Sequence, residues 1–411
     1  MFLEKKEEKM LEGEYGSGVE LAMNALVKMG DAVGAERFIP IQSSHIGNAG
    51  LFNNFEGYVD IVERLVEKGA KTKVPTSENP YPYDSRTPIE LAECKESSML
   101  KETEPLTTYY RELEVIPTWT CTPYFNGNIP RYGHHISWEE SSAVAYVNAV
   151  LGAKTNRESV LMDLLTAISG RTLYHGLHID ENRKGELLFS IDKKKLNSSD
   201  YPAIGYYIGK IIETEIPVIK GIPRDVSKGN LKNFGAAAAS TGALAHYHIP
   251  KVTPEANSTN DAFGNEKPSE KIEIEEREIK ETKEEMSYLR EGEDIEMIAL
   301  GCPHYSFEEV KKIAKLIEGR KIKENVKFWI FTHDGARSLA ESLGYSEIIE
   351  SAGGRLLAGC PHHILETPPY DEMPFMTDSG KMCYYTKSAY GGQKDCLKSG
   401  IEGKVARVKK W

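Results

Sequence analysis

Three cysteines stand in the same local setting, which is typical of a metal ligand. Cys121, Cys302 and Cys360 each follow a short apolar run, and a proline comes one or two positions later. Cys302 and Cys360 also share the tetrapeptide Gly-Cys-Pro-His. Such apolar runs predict strands, and the carboxyl ends of parallel strands gather at one edge of a sheet. We therefore expect the three sulfurs to meet, although they lie far apart in the sequence.

Three thiolates with no local fourth ligand would hold an iron–sulfur cluster and leave one iron open to substrate. Proline after cysteine recurs among cluster ligands, and an open metal is a Lewis acid that can draw a hydroxyl from a substrate. Two alternatives stay open: ordinary buried thiols, or zinc bound by Cys302, His304, Cys360 and either His362 or His363. The cysteines without this setting are expected to be structural: Cys94, Cys383 and Cys396.

A short basic turn offers positive charge for an anionic substrate. Lys154, Thr155, Asn156 and Arg157 lie between two segments that are predicted as helices, and Arg171 follows the second of them. A guanidinium suits the geometry of carboxylate and phosphate, and a helix N-terminus adds a favourable field. The same residues are also typical of a solvated helix end, so both interpretations stay open.

Polar residues after a predicted buried strand at 38–41 form a second candidate wall of a binding site. Ser43, Ser44, His45 and Asn48 occupy this segment, and loops that follow strands are where α/β proteins bind ligands. His45 is a candidate acid–base group. A single histidine in a loop is more often structural, so a structural role is the alternative.

The overall composition excludes several classes of function. The chain has 411 residues and a formal net charge of −11, whereas binding to nucleic acid or to an anionic membrane needs a basic face. No apolar run reaches the roughly 18 residues that a membrane-spanning helix needs, and the charged N-terminus lacks the apolar core of a secretion signal. We expect a cytoplasmic protein that binds neither nucleic acid nor a membrane.

Strands that alternate with helices in the C-terminal third predict a parallel sheet of an α/β protein. We expect an N-terminal α/β region at 1–265, with one or two interwoven lobes, that carries the substrate loops and Cys121. A charged boundary segment at 266–284 follows, and a C-terminal α/β lobe at 285–411 carries Cys302 and Cys360. Within the first region, the spacing of apolar residues predicts a helix over 137–150 that is capped by Ser137.

These motifs together resemble the aconitase X family of the aconitase superfamily. The resemblance implies an aconitase-like α/β fold, in which parallel or mixed sheets flanked by helices form two or three lobes around a central cleft. It also implies a hydro-lyase with a 4Fe–4S cluster, its 3Fe–4S form or a smaller cluster. Ordinary aconitases carry a C-x-x-C pair among their ligands and this chain has none, so their ligand set cannot be transferred. The matching stretches cover nearly the whole chain: 120–124, 150–157, 170–172, 176–178, 237–243, 299–304 and 376–381.

The resemblance covers two kinds of enzyme. One kind is a single chain with a swivelling small domain that dehydrates cis-3-hydroxyproline. The other has two subunits and dehydrates (R)-mevalonate 5-phosphate to trans-anhydromevalonate 5-phosphate in an archaeal mevalonate pathway. Because the chain stops at Trp411, we expect the large subunit of the second kind, in a heterodimer whose small subunit supplies a serine base. The alternative from another class is a non-enzymatic subunit that binds an iron–sulfur cluster or zinc.

Overall fold

The computed structural model describes residues 1–47, 55–87 and 98–408. These residues form an α/β fold of mainly parallel sheets flanked by helices, as expected, with an antiparallel strand pair near the N-terminus. Among them, no helix is both long enough and apolar enough to cross a membrane.

The first region of the chain packs helices around short strands. Its helices and strands are α1 (Lys5–Leu11), α2 (Ser17–Val33), β1 (Phe38–Pro40), β2 (Ser44–Ile46), α3 (Phe55–Glu67), β3 (Thr76–Glu78), α4 (Ser98–Glu112), β4 (Ser137–Trp138), α5 (Ser141–Tyr146), α6 (Val160–Ser169) and β5 (Arg171–Leu173). β3, β2 and β4 form a parallel sheet in that order, and β1 pairs with β5. The helix α2 buries Ala22, Met23 and Leu26 at helical spacing, so it covers the core of this region.

The second region contains a parallel sheet of the order β7–β6–β8. Its elements are β6 (Leu187–Asp192), α7 (Asp200–Ile211), β7 (Pro217–Lys220), α8 (Lys228–Thr241), α9 (Thr259–Ala262), β8 (Glu270–Glu275) and α10 (Glu276–Glu285). The charged segment 266–284 is therefore folded, because β8 pairs with β6 from Leu187↔Glu270 to Asp192↔Glu275. Ile274 is fully buried between charged neighbours, since alternate residues of a strand face opposite sides.

The third region is built on a parallel sheet of the order β11–β10–β9–β12–β13. Its elements are β9 (Met297–Tyr305), α11 (Phe307–Ile317), β10 (Lys327–Thr332), α12 (Asp334–Ser342), α13 (Tyr345–Ser351), β11 (Gly354–Leu357), α14 (Pro361–Leu365), β12 (Phe375–Thr377), α15 (Gly380–Tyr385), β13 (Ala389–Tyr390) and α16 (Gln393–Glu402). Ile298 and Leu300 pack on one face of this sheet, while Met297 and Ala299 pack on the other face beside Cys302. The strand β9 thereby delivers Cys302 to one face of the sheet.

The helices α7 and α8 pack with their backbones almost in contact. A Cβ added to Gly205 would lie 2.2 Å from the carbonyl oxygen of Phe234, and one added to Gly209 would lie 2.5 Å from that of Ala238. Only glycine allows this approach. The segment of small residues around 235–243 thus serves close helix packing, which holds α8 in a fixed position.

The prediction of one helix over 137–150 is wrong in its first turn. Residues Ser137–Trp138 form the strand β4, which pairs with β2, and the Ser137 hydroxyl donates to Asp163 at 2.6 Å instead of capping a helix. Glu140 takes the capping position, because its carboxylate accepts from the backbone N–H of Ser142 at 3.3 Å. The pairing partners are distant in sequence, so local spacing could not indicate them.

Candidate active site

Three cysteines converge where the first and third regions meet. Burial raises the pKa of each thiol to about 12. The charges also act on each other in a closed ring: Cys302 raises the pKa of Cys121, Cys360 raises that of Cys302, and Cys121 raises that of Cys360. The sulfurs predicted from the sequence therefore lie within electrostatic reach of one another.

Glycines set the position of two of these cysteines. Gly301 has a φ of 98°, and an added Cβ would lie 2.1 Å from the carbonyl oxygen of Phe331. An added Cβ at Gly359 would lie 2.1 Å from the carbonyl oxygen of Tyr83. The glycine in each Gly-Cys-Pro-His is thus required by a close approach of backbone, which explains in part why the tetrapeptide occurs twice.

Hydrogen bonds from backbone and side-chain groups fix the segments that carry the three cysteines. The N–H of His304 donates to Sγ of Cys121 at 3.3 Å, which links the first region directly to the end of β9. The N–H of Cys360 donates to the carbonyl of Tyr81 at 2.8 Å. The hydroxyl of Ser379 donates to the carbonyl of Cys302. The cysteine site is therefore fixed by both regions of the chain.

The donor set fits a cluster better than a single ion. Among the described residues, no group of three or more His, Cys, Asp or Glu side chains is placed to hold one metal ion. His304, one ligand of the zinc alternative, is engaged at both ring nitrogens, because Nε2 bonds to the carbonyl of Gly359 at 2.8 Å and Nδ1 bonds to Thr120 at 3.2 Å. The thiolates of a cluster bind different irons and stand further apart than the ligands of one ion. Three buried thiols whose charges act on each other are the kind of donor set that a cluster takes.

An ion pair that the sequence analysis missed lies beside the thiols. Nζ of Lys381 on α15 contacts Oε1 of Glu140 at 2.6 Å. Lys381 holds the pKa of Glu140 down at about 2, and its charge lowers the pKa of Cys121, Cys302 and Cys360. The only sequence signal for Lys381 was its place in the stretch 376–381, which contributed to the family resemblance. Nothing in the neighbouring sequence indicated that its partner is Glu140.

His45 is buried and engaged at both ring nitrogens. Nδ1 lies 2.8 Å from the hydroxyl of Ser77, and Nε2 lies 2.9 Å from Oδ1 of Asn79. Burial lowers the pKa of His45 to about 4. A neutral imidazole with both nitrogens bonded positions its neighbours, and the role of His45 as an acid–base group stays a prediction.

The other residues of the predicted polar wall are divided. The hydroxyl of Ser44 donates to backbone carbonyls of Ser137 and Asp163 at 3.0 and 3.1 Å, which is a structural role. Ser43 is buried, its hydroxyl has no hydrogen-bond partner among the described residues, and it lines a cavity of about 380 Å³. Asn48 lies outside the described residues.

The basic turn contributes one exposed cation. Lys154 contacts Asp180, and the hydroxyl of Thr155 accepts from the N–H of Trp138 at 3.1 Å. Oδ1 of Asn156 accepts from the N–H of Leu177 at 2.7 Å. These three residues hold the turn.

Arg157 is the member of the turn that remains available for an anion. Its side chain is exposed and makes one long hydrogen bond, at 3.4 Å, to the carbonyl of Gly242. Its charge lowers the pKa of Glu139, a carboxyl whose pKa burial and the neighbouring Glu140 raise to about 8. Arg157 therefore lies within electrostatic reach of the site.

Arg171 is committed to the core of the first region. Its Nε donates to the buried carboxylate of Glu7 at 3.1 Å, and Nη1 donates to the carbonyl of Gly170 at 3.2 Å. These bonds tie α1 to β5. Arg171 therefore has a structural role, and its binding of substrate stays a prediction.

A larger cavity lies away from the thiols. It has a volume of about 1040 Å³ and lies between the second and third regions. Its walls include the first turns of α8, α11, α12 and α16, and none of the three cysteines lines it. The chemistry of the thiols therefore belongs to a different place in the fold.

The fold and the site define an α/β protein with a thiol-lined centre between its domains. Family models for the first, second and third domains of aconitase X match residues 1–181, 185–284 and 295–401. The chain belongs to the aconitase X family. This confirms the resemblance drawn from the motifs.

Curated relatives of two kinds are similar to the chain. The phosphomevalonate dehydratase large subunit of Thermococcus kodakarensis is 35% identical, over 94% of this chain and 95% of the relative. That of Methanocaldococcus jannaschii is 37% identical, over 94% and 96%. The cis-3-hydroxy-L-proline dehydratase of Pseudomonas aeruginosa is 30% identical, over 98% of this chain and 70% of the relative. The prediction of an aconitase X hydro-lyase is confirmed, and the non-enzymatic alternative is not supported.

A solved structure has the same fold. The crystal structure of Thermococcus kodakaraensis aconitase X in its holo-form superposes with a TM-score of 0.86 and 34% sequence identity. The match covers 97% of this chain and 100% of that chain. The predicted aconitase-like α/β fold class is therefore confirmed.

Proposed function

We propose that the chain is the large subunit of an iron–sulfur hydro-lyase that dehydrates (R)-mevalonate 5-phosphate to trans-anhydromevalonate 5-phosphate. The observation that carries this proposal is the ring of buried thiols beside Lys381. The choice of substrate rests on the relatives named phosphomevalonate dehydratase large subunit, which are 35% and 37% identical, against 30% for the hydroxyproline dehydratases. The reaction belongs to an archaeal-type mevalonate pathway in the cytoplasm.

Cys121, Cys302 and Cys360 would hold the cluster, as 4Fe–4S or 3Fe–4S. The cluster supplies a Lewis acid that assists departure of the substrate hydroxyl. Because the pKa of each free thiol is about 12, cluster binding must displace the protons, as metal binding to thiols does.

The remaining groups bind the substrate and handle its proton. Arg157 presents an exposed guanidinium, which suits a phosphate, and the folded turn of Lys154, Thr155 and Asn156 holds it in place. Glu139 is a buried carboxyl with a raised pKa near 8, so it is protonated at neutral pH and can donate a hydrogen bond inside the site. Elimination also needs a base that takes the proton next to the carboxylate.

A small partner subunit completes the enzyme and supplies that base. The name large subunit carried by the relatives implies such a partner for them. We propose the same heterodimer here, with the swivelling domain on the second chain and its serine as the base. The substrate, a phosphorylated hydroxy acid, is then enclosed between the two chains.

The test is reconstitution of both chains under anaerobic conditions. The two subunits are combined with iron and sulfide, and mevalonate 5-phosphate is added while the product is followed by NMR. Formation of trans-anhydromevalonate 5-phosphate supports the proposal. Turnover of cis-3-hydroxy-L-proline and not of mevalonate 5-phosphate would refute the proposed substrate. The chain would then resemble in activity the relatives named cis-3-hydroxy-L-proline dehydratase, which are 30% identical.

A further inference from the structure

A chain of hydrogen bonds leads from the first region to Lys381. Nδ2 of Asn128 lies 2.8 Å from the hydroxyl of Ser77, which lies 2.8 Å from Nδ1 of His45. Nε2 of His45 lies 2.9 Å from Oδ1 of Asn79. Nδ2 of Asn79 lies 3.3 Å from Oε2 of Glu140. The other oxygen of this carboxylate contacts Nζ of Lys381 at 2.6 Å.

The donors and acceptors of this chain have one consistent order. The amide N–H of Asn79 faces the Glu140 carboxylate, so its Oδ1 must accept from Nε2–H of His45. His45 is then the Nε2–H tautomer, and its Nδ1 accepts from Ser77. An amide cannot pass protons along readily, so the chain orients groups instead of conducting protons. At the end of the chain, both oxygens of the Glu140 carboxylate are hydrogen-bonded, and one of them contacts Lys381.

Lys381 has donors left over after Glu140 is satisfied. An ammonium carries three N–H groups, and within the described ranges one hydrogen bond, to Glu140, is recorded for Nζ. The side chain is only 15% exposed. Ser379, which caps the helix of Lys381, donates its hydroxyl to the carbonyl of Cys302, so the free donors lie near the thiol centre where the hydroxyl leaves.

The chemistry of the reaction specifies what should meet these donors. In a β-hydroxy acid, the carboxylate is attached to the carbon that loses the proton, and the next carbon loses the hydroxyl. When that hydroxyl is at the thiol centre, the carboxylate must lie within a few bonds of it. A buried cation at that place is the natural partner of a carboxylate.

We propose that Lys381 binds the carboxylate of the substrate and that Glu140, Asn79 and His45 are positioning residues that hold Lys381 in place. This inference rests on the proposed function and adds the group that recognises the substrate class. It also gives His45 a positioning role, in which His45 does not exchange a proton. The proposal predicts specificity for hydroxy acids over the corresponding alcohols, whatever the rest of the substrate.

The first test replaces Lys381 in the reconstituted two-chain enzyme. Lys381→Met should raise the KM for mevalonate 5-phosphate by about 10- to 150-fold, which is the range of a charge-assisted hydrogen bond. Iron content and cluster absorbance should stay at the wild-type level. Lys381→Arg keeps the charge and should therefore raise the KM by a smaller factor. The matched control is Lys280→Met, which removes an exposed pair with Glu284 at 3.8 Å and should change KM less than about twofold.

The second test addresses the positioning role. Glu140→Gln should raise KM in the wild-type background and have no further effect in Lys381→Met, because residues that act as a unit are not additive. His45→Ala should behave in the same way, and His45→Gln should restore part of the loss since its amide can bond to Asn79. If Glu140→Gln raised KM by the same factor in the wild-type and Lys381→Met backgrounds, the positioning role would be refuted. KM does not depend on the amount of folded enzyme, so this comparison holds even if one variant folds poorly.

Failure of this inference differs from failure of the proposed function. Wild-type KM in Lys381→Met, or loss of iron from it, would overturn the inference while the wild-type enzyme still dehydrates mevalonate 5-phosphate. Wild-type turnover of cis-3-hydroxy-L-proline instead would overturn the proposed substrate. Since that substrate also carries a carboxylate, Lys381→Met must then raise its KM for the inference to stand.

Discussion

Replacement of Lys232 by methionine should loosen the segment that carries Cys302. The Lys232 side chain is fully buried on α8. Its Nζ donates to the carbonyls of Pro303 and His304 at 3.3 and 2.9 Å, and to the carboxylate of Glu309 at 2.8 Å. One ammonium thus ties the second region to the residues that directly follow a proposed cluster ligand. Methionine keeps the apolar stem and removes all three bonds.

The expected cost follows from these partners. Removing one member of a buried ion pair costs about 3 kcal/mol at the lower end of the observed range. The lower end applies because Glu309 is 13% exposed and keeps its bonds from Ser306 at 2.9 Å. Two carbonyls that lose a partner add about 1 kcal/mol each. The total is about 5 kcal/mol, a large part of the 5–15 kcal/mol that stabilises a typical protein.

The assay is urea unfolding followed by circular dichroism, with iron content measured on the same samples. Lys232→Met should lower the unfolding midpoint and reduce bound iron. Lys311→Met is the control, because its pair with Glu308 lies at the surface, with Lys311 32% and Glu308 74% exposed, and contributes less than about 0.5 kcal/mol. If both variants had the same midpoint, the structural role of the buried ammonium would be refuted.

Three further predictions concern the site. His45 has a pKa near 4 when folded and 6.5 when unfolded. Below pH 6.5 the imidazole therefore binds a proton in the unfolded state but not in the folded state. This lowers the free energy of unfolding by about 3 kcal/mol between pH 6.5 and pH 4. His45→Gln should remove only the share of His45 from the pH dependence of urea midpoints in this range, because burial also lowers the pKa of His333 and His362 to about 4. Gly359→Ala should displace Cys360, because its Cβ would lie 2.1 Å from the Tyr83 carbonyl, and lower iron content at unchanged circular dichroism. Cys121→Ser should abolish cluster absorbance.

Each of these predictions has a matched control. Parallel pH curves for His45→Gln and wild type would contradict the burial of a neutral imidazole. Gly57→Ala places a methyl in open space on α3 and should leave iron content unchanged. Cys383→Ser alters a buried thiol outside the ring and should keep the cluster absorbance. A cluster retained in Cys121→Ser would remove that residue from the ligand set.

Sequence reasoning found the cysteines because their signal is local. An apolar run followed by cysteine and proline marks a strand end, and the duplicated Gly-Cys-Pro-His also marks a backbone approach that only glycine permits. Convergence then follows from parallel sheet geometry. The alternating strands and helices of the third region could be predicted for the same reason, since the spacing of apolar residues that indicates each element lies within that element.

Pairings between distant residues could not be predicted in this way. Glu140 and Lys381 are 241 positions apart, and Arg171 is 164 positions from Glu7. No pattern in one sequence indicates which cation meets which carboxylate. The first turn predicted at 137–150 failed for the same reason, because Ser137 pairs with Ser44 in β2. Long-range partners therefore decided which polar residues belong to the site.

Anomalous scattering at the iron edge, from crystals grown without oxygen, tests the central claim most directly. The proposal predicts one compact iron density within bonding distance of the sulfurs of Cys121, Cys302 and Cys360, with no fourth cysteine ligand from this chain. Iron bound elsewhere, or sulfurs at this place without metal in an active enzyme, would contradict it.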